Sequence, residues 1–229
     1  MNDKTGTFYA VSVGPGDPEL LTLKAVRVLR ACPVIAAPQT ATGQTLALDI
    51  ARAAVDLCGK TILPLRFSMS REPDVRAASC REAASAVEAS LRRGTDVALV
   101  NLGDVSLYAT AGYMLDELRR DGFRTEMIPG VTSPSAVAAR LGQSLTEMEL
   151  PLHILPGSCD LDAALSLPGT KVLMKSGSAI HETVDALARA GLLDRAAMVA
   201  DCGLPTERIF RDLHELPGTL SYFATILVR

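Results

Sequence analysis

A chain of 229 residues can bury one large core or two small ones, and with 48% apolar and 21% charged residues it has the composition of a soluble globular protein. The net charge of -3 gives no sign of a nucleic-acid surface, and no apolar stretch reaches the roughly 18 residues of a membrane helix. The five cysteines (Cys32, Cys58, Cys80, Cys159, Cys202) form no C-x-x-C pair and the three histidines lie far apart, which argues against a disulfide framework or a metal site and for a cytoplasmic protein.

The opening MNDKTGTFYA lacks the cationic-then-apolar pattern of a signal peptide. Phe8–Val13 reads as a strand. Pro18–Ala31 then reads as a helix, with Asp17 placed to cap it and Pro18 in its first turn. A short strand is expected at Val34–Ala37, a helix at Leu46–Val55 and an extended run at Ile62–Leu65. Val75–Arg93 is a long alanine-rich helix that stops at Gly94. Val97–Val100 is a buried-strand run, and Tyr108–Arg120 a helix. Thr125–Ile128 is a strand, and Ser133–Leu141 a short helix. Further strands are expected at Leu152–Leu155, Val172–Met174, Met198–Ala200 and Phe223–Val228, with a helix at Ile180–Ala190. Arg208–Leu216 reads as an exposed strand or a turn.

The strand–helix alternation of the first half predicts a parallel sheet covered by helices, and the strand-rich end predicts a mixed sheet. The fold class is therefore α/β, as two α/β domains over residues 1–121 and 122–229.

Three loops leave strand ends with small or polar residues, where open α/β sheets bind ligands. The first is Gly14-Pro-Gly-Asp17. No Lys-Ser/Thr pair follows Gly16, and Glu19 stands where a dinucleotide fingerprint needs its third glycine, so both phosphate-binding patterns fail. Asp17 reads as a helix cap or as an acid facing a cleft. The second loop, Asn101 to Thr110, carries Gly103-Asp104, a common turn signal or a place for a ligand to approach the backbone. The third, Pro129-Gly-Val-Thr-Ser133, is a turn plus cap or a pair of ligand-facing hydroxyls. Arg66, Met69 and Arg71 follow a strand and read as a solvated loop. Met174 is more often core than ligand contact, and Cys202 more often a buried thiol than a nucleophile.

As an ordered set, VGPGDPELLTLKAVRVL, LGDVSLYAT, IPGVTSPSAVAARLG, VLMK, LPTERI and YFATILV resemble the tetrapyrrole methylases, the S-adenosylmethionine-dependent enzymes of sirohaem and cobalamin synthesis. Within that family PLRFSMSRE, LGD-x-SLY-x-T and LPLHILPG are most similar to the methylases of carbon 20 of precorrin-2. The resemblance spans almost the whole chain. It implies methyl transfer from S-adenosylmethionine, leaving S-adenosylhomocysteine, in a cleft between the two domains. It implies cofactor contacts at Gly103, Asp104, Val105, Leu107, Thr132, Ser133, Met174 and Cys202. Asp17, Arg66, Met69 and Arg71 would face the tetrapyrrole, the arginines matching its carboxylates as forked pairs. Asp104 and Tyr108 would assist catalysis. The alternatives are the same methylation on the cobalt-containing substrate, or a tetrapyrrole-binding protein without turnover. A homodimer is implied, with no nucleic-acid or membrane partner. One departure stands out: the family usually has Gly-Asp-Pro where this chain has Gly103-Asp104-Val105.

Overall fold

The computed structural model describes residues 5–68, 70, 72–214, 216 and 220–229, apart from the side chain of Ser178. They form two compact units that meet in sequence at Val131 and Thr132.

The first unit is built on five parallel strands, β1 (Thr7–Ser12), β2 (Val34–Pro38), β3 (Thr61–Leu65), β4 (Val97–Asn101) and β5 (Arg124–Ile128), in the order β3-β2-β4-β1-β5. The apolar run VALVN explains the central place of β4, because a strand covered on both faces has no solvent side to pattern. Strands β3 and β5 sit at the edges, each with its first and fourth residues exposed and only its last buried. Four helices connect the strands: α1 (Leu23–Ala31), α2 (Leu46–Ala54), α3 (Pro73–Arg92) and α4 (Ala111–Arg120). Val87 and Leu91 of α3 and Met114, Leu115 and Leu118 of α4 pack with Phe8, Ala10, Val97 and Leu99 in one core. Because β5 pairs with β1, the first unit runs on to Val131.

The chain leaves β1 toward β2 on one side and leaves β4 toward β5 on the other. The two connections thus run in opposite directions from neighbouring strands, the switch in direction at which open α/β sheets take their ligands.

The second unit holds β6 (Leu152–Pro156), β7 (Thr170–Met174), β8 (Ala196–Ala200), β9 (Arg208–Phe210) and β10 (Ala224–Val228), in the order β6-β7-β10-β8-β9. Only β6 and β7 pair in parallel, so the sheet is mixed, as the strand-rich end predicts. Strands β7, β8 and β10 are buried along their whole length. Helices α5 (Ser133–Leu141), α6 (Leu161–Ser166) and α7 (Ile180–Arg189) complete the unit, with α5 against β8 and β10.

Three expectations change. The predicted helix Pro18–Ala31 is a single 3-10 turn, Pro18–Leu20, followed by α1. Asp17 caps only that turn, by accepting from the Glu19 N–H at 2.9 Å. Leu21 and Thr22 are extended, and Thr22 caps α1 itself through the Ala25 N–H. Helix α4 begins three residues later than expected, because Tyr108 adopts φ 49, a left-handed conformation no α-helix accommodates. Finally, α6 escaped the apolar periodicity because it is only six residues long, with Asp160 as its cap.

Candidate functional site

The crevice of the first unit is shaped by three loops. Past its paired residues β1 still follows β4: the Val13 N–H donates to the Asn101 carbonyl at 2.9 Å, and the Gly103 N–H to the Gly14 carbonyl at 2.8 Å. Gly14 and Gly103 both have φ 74, which favours glycine. A Cβ added at Gly14 would touch Leu20 at 3.3 Å, whereas one at Gly103 would meet nothing within 4 Å. The open side of Gly103 is where a ligand can approach the main chain.

Asp104 ties the loops together. Its carboxylate is buried, with 7% of the residue exposed. One oxygen accepts from the Gly130 N–H at 2.7 Å and from the Ser12 hydroxyl at 3.3 Å. The other accepts from the Ser106 N–H at 2.8 Å and from the Ser106 hydroxyl. Burial pushes this carboxyl's pKa up, but the donors from Ser106, Gly130 and Ser12 outweigh it and hold the group below the usual carboxylate range. A carboxylate with its lone pairs so engaged is a poor proton acceptor. Asp104 thus ties together the loops that follow β1, β4 and β5.

A depressed carboxyl pKa contributes stability that is present above the unfolded value of roughly 4 and is lost as pH falls through the folded value. Ser12→Ala removes one donor and so raises the folded pKa. The acid-unfolding midpoint of Ser12→Ala, followed by circular dichroism, is expected to lie at higher pH than that of the native chain, with about 1 kcal/mol less stability at neutral pH. An unchanged midpoint would show that this hydroxyl contributes nothing.

Val105 resolves the departure from Gly-Asp-Pro. Its side chain is buried in the core of the first unit, and its N–H donates to the Ser12 oxygen at 3.0 Å. A proline has no N–H to give. The valine holds the turn by packing and by this bond. Ser12, fully buried at the end of β1, was not singled out from sequence; an isolated serine after an apolar run carries no signal of its partners.

Leu107 is half-buried on the same loop, and Tyr108 is 42% exposed beside it. Asp17 is half-buried in the loop after β1, capping the 3-10 turn. Arg66 is exposed just after β3, whose neighbour β2 separates it from β4, so the two strand ends lie about 10 Å apart. Met69 and Arg71 lie outside the described residues.

In the second unit, Thr132 accepts from the Ser135 N–H and caps α5, with Ser133 as the first helical residue. Met174 ends β7, and Cys202 follows β8. Because β10 runs antiparallel to both, their carboxyl ends reach the same sheet edge, on either side of Ala224. Cys202 is buried and its thiol bonds to Glu207. Glu207 also accepts from the Gly203 N–H at 2.8 Å and from the Arg140 Nε at 2.9 and 3.1 Å. Burial raises the Glu207 carboxyl, and the bonds from Arg140, Gly203 and Cys202 pull it below the usual range. Glu207 thus organises the loop after β8 much as Asp104 organises the loop after β4.

The family model described as tetrapyrrole (corrin/porphyrin) methylases matches residues 7–217. The chain is 35% identical to the cobalt-precorrin-2 C(20)-methyltransferase of Salmonella typhimurium, over 97% of this chain and 96% of that one. It is 30% identical to the precorrin-2 C(20)-methyltransferase of a Sinorhizobium species, over 97% and 95%. Among solved structures, the uroporphyrin-III C-methyltransferase of Thermus thermophilus complexed with S-adenosylhomocysteine matches with a TM-score of 0.68 over 97% of each chain. At 24% identity that last likeness is one of fold.

Proposed function

Because the chain belongs to the tetrapyrrole (corrin/porphyrin) methylase family, we propose that it methylates carbon 20 of precorrin-2 to give precorrin-3A in cobalamin biosynthesis, with S-adenosylmethionine as donor. Methyl transfer to a tetrapyrrole is the chemistry of the family. The choice of carbon 20 is carried by one observation, the 35% identity across 97% of the chain to an enzyme of that regiochemistry.

The loop geometry supports this donor. S-adenosylmethionine carries no phosphate and needs no Walker-type cradle. The Asp104 carboxylate is turned inward onto Ser12, Ser106 and Gly130, so the loop offers a ligand the main chain beside Gly103 and the side chain of Leu107. The cofactor, when bound, supplies an electrophilic methyl group on a sulfonium. The chain's part is to hold that methyl in line with the attacking carbon, and positioning of this kind is worth roughly 7–11 kcal/mol. Gly103 and Val105 fix the loop, Asp104 keeps it ordered, and Tyr108 is the candidate for moving the proton that leaves carbon 20. Arg66 offers a guanidinium to the carboxylates of the substrate, at the same carboxyl end of the parallel sheet as the loop of Asp17.

A second reading, the cobalt-containing substrate, is favoured by the higher identity to the cobalt-precorrin-2 enzyme, 35% against 30%. Purified protein incubated anaerobically with S-adenosylmethionine and either precorrin-2 or cobalt-precorrin-2, followed by mass spectrometry, separates the two. We expect a gain of one methyl, located at carbon 20 by NMR. No gain with either substrate overturns the proposal, and a gain at another ring position overturns the regiochemistry.

A further inference from the structure

Among the described residues, three that are not glycine have left-handed backbone: Tyr108 at φ 49, Lys175 at φ 60 and Asp201 at φ 52. All three lie on loops that leave the carboxyl end of a strand, after β4, β7 and β8. Left-handed backbone is unfavourable for any residue with a Cβ, and it persists only where the surroundings impose it. Elsewhere this chain meets the same demand with glycine, as at Gly94 and Gly103. At position 175 it keeps a lysine.

The main chain around Lys175 has no room to relax. The Gly157 N–H donates to the Met174 carbonyl at 2.6 Å, and the Ser176 N–H to the Ala224 carbonyl at 3.3 Å. A Cβ at Gly157 would sit 2.9 Å from the Ser176 Oγ, and one at Gly177 only 1.8 Å from the Ser221 carbonyl oxygen. The segment is pinned on both sides, so the lysine's conformation is imposed. Its ammonium is partly withdrawn from water, and burial pulls its pKa down. An anion arriving there would stabilise the charged form. The segment that packs on Gly177 leads straight into two exposed aromatic residues, Tyr222 and Phe223, edge to face with centroids 5.4 Å apart. The segment of Lys175 thus runs beside the segment of these two rings, with Met174 paired to Thr225 and the Ser176 N–H bonded to Ala224, and a cation and exposed rings on adjoining segments suit a ligand that is both flat and anionic.

We propose that Lys175 binds a carboxylate of the tetrapyrrole substrate, with Tyr222 and Phe223 as the apolar wall beside it. This rests on the tetrapyrrole reading above. The methyl donor also carries a carboxylate at its amino-acid end, so the test must tell the two sources apart.

The full chain and the variants Lys175→Gly and Lys175→Ala are titrated with uroporphyrin III, a fluorescent polycarboxylate, and separately with S-adenosylhomocysteine. The thermal midpoint is measured for each. Loss of one charge-assisted contact should weaken porphyrin binding by about tenfold or more in both variants, with S-adenosylhomocysteine affinity unchanged. Lys175→Gly should keep its thermal midpoint within about 2 °C, because relief of the left-handed strain offsets the added freedom of the unfolded chain. Equal losses for both ligands would move the carboxylate to the methyl donor and overturn the proposal. Unchanged porphyrin binding would overturn it too, as would a native chain that binds no porphyrin. A Lys175→Gly chain that loses several degrees of stability along with binding would make the lysine structural. A native chain that binds porphyrin but transfers no methyl removes the proposed reaction and leaves the role of Lys175 standing.

Discussion

Asp104→Asn is expected to remove measurable cofactor binding while leaving the chain folded. The carboxylate accepts four hydrogen bonds from Ser12, Ser106 and Gly130. An amide of the same shape keeps one acceptor oxygen, but its NH2 must face donors on the other side. Charge-assisted bonds contribute about 1.5–3 kcal/mol each, and donors left without a partner in a buried site cost about 1–3 kcal/mol. The contributions are not additive, so about 3–5 kcal/mol is a fair total for ordering the loop. If the ordered loop is the form that binds, its affinity for S-adenosylhomocysteine falls with its population, by roughly 100-fold or more. Calorimetry with the product cofactor, beside a thermal melt, checks this. Near-native affinity in a folded Asp104→Asn chain would mean that the carboxylate is not what organises the loop.

Gly130→Ala is expected to do comparable damage by a different route. The added Cβ would sit 2.4 Å from the Cβ of Ser12. That atom is attached to the buried end of β1 and cannot swing aside, unlike the tip of a long side chain. The main chain must move instead, and the Gly130 N–H moves with it, away from Asp104. Overpacking of this kind costs about 1–3 kcal/mol or more, before the lost hydrogen bond is counted. A double-mutant cycle identifies the cause. With Ser12→Gly as background the clash has no partner, so adding Gly130→Ala should lower the thermal midpoint far less than it does in the native chain. Equal losses in both backgrounds would show that the clash is not the reason.

Much of the fold is legible in the chain. The buried runs of β4 and β10, the stop of α3 at Gly94 and the cap of α5 at Thr132 follow from local chemistry, and each appears where expected. The first helix was misread because Asp17 and Thr22 are both competent caps five residues apart. The structure uses both, one for a single turn and one for the helix.

The site divides in the same way. The ordered glycine loops, their failure to match any phosphate cradle, and the family resemblance are properties of residue type and spacing, which the chain carries with it. Which way the Asp104 carboxylate faces is not such a property. Its partners Ser12 and Gly130 lie 92 and 26 positions away and meet it only because β1, β4 and β5 end side by side. The strain at Lys175 is likewise invisible in the letters VLMK, since it arises from close packing against Gly157 and Gly177, set by strands β6 and β10. Local propensity determined the elements, and the family resemblance carried by the ordered motifs pointed to the class of chemistry. Register between distant strands decided which acid holds the loops and which lysine is left under tension, because hydrogen bonds and steric contacts depend on distance in space, and only the assembled sheets fix that distance.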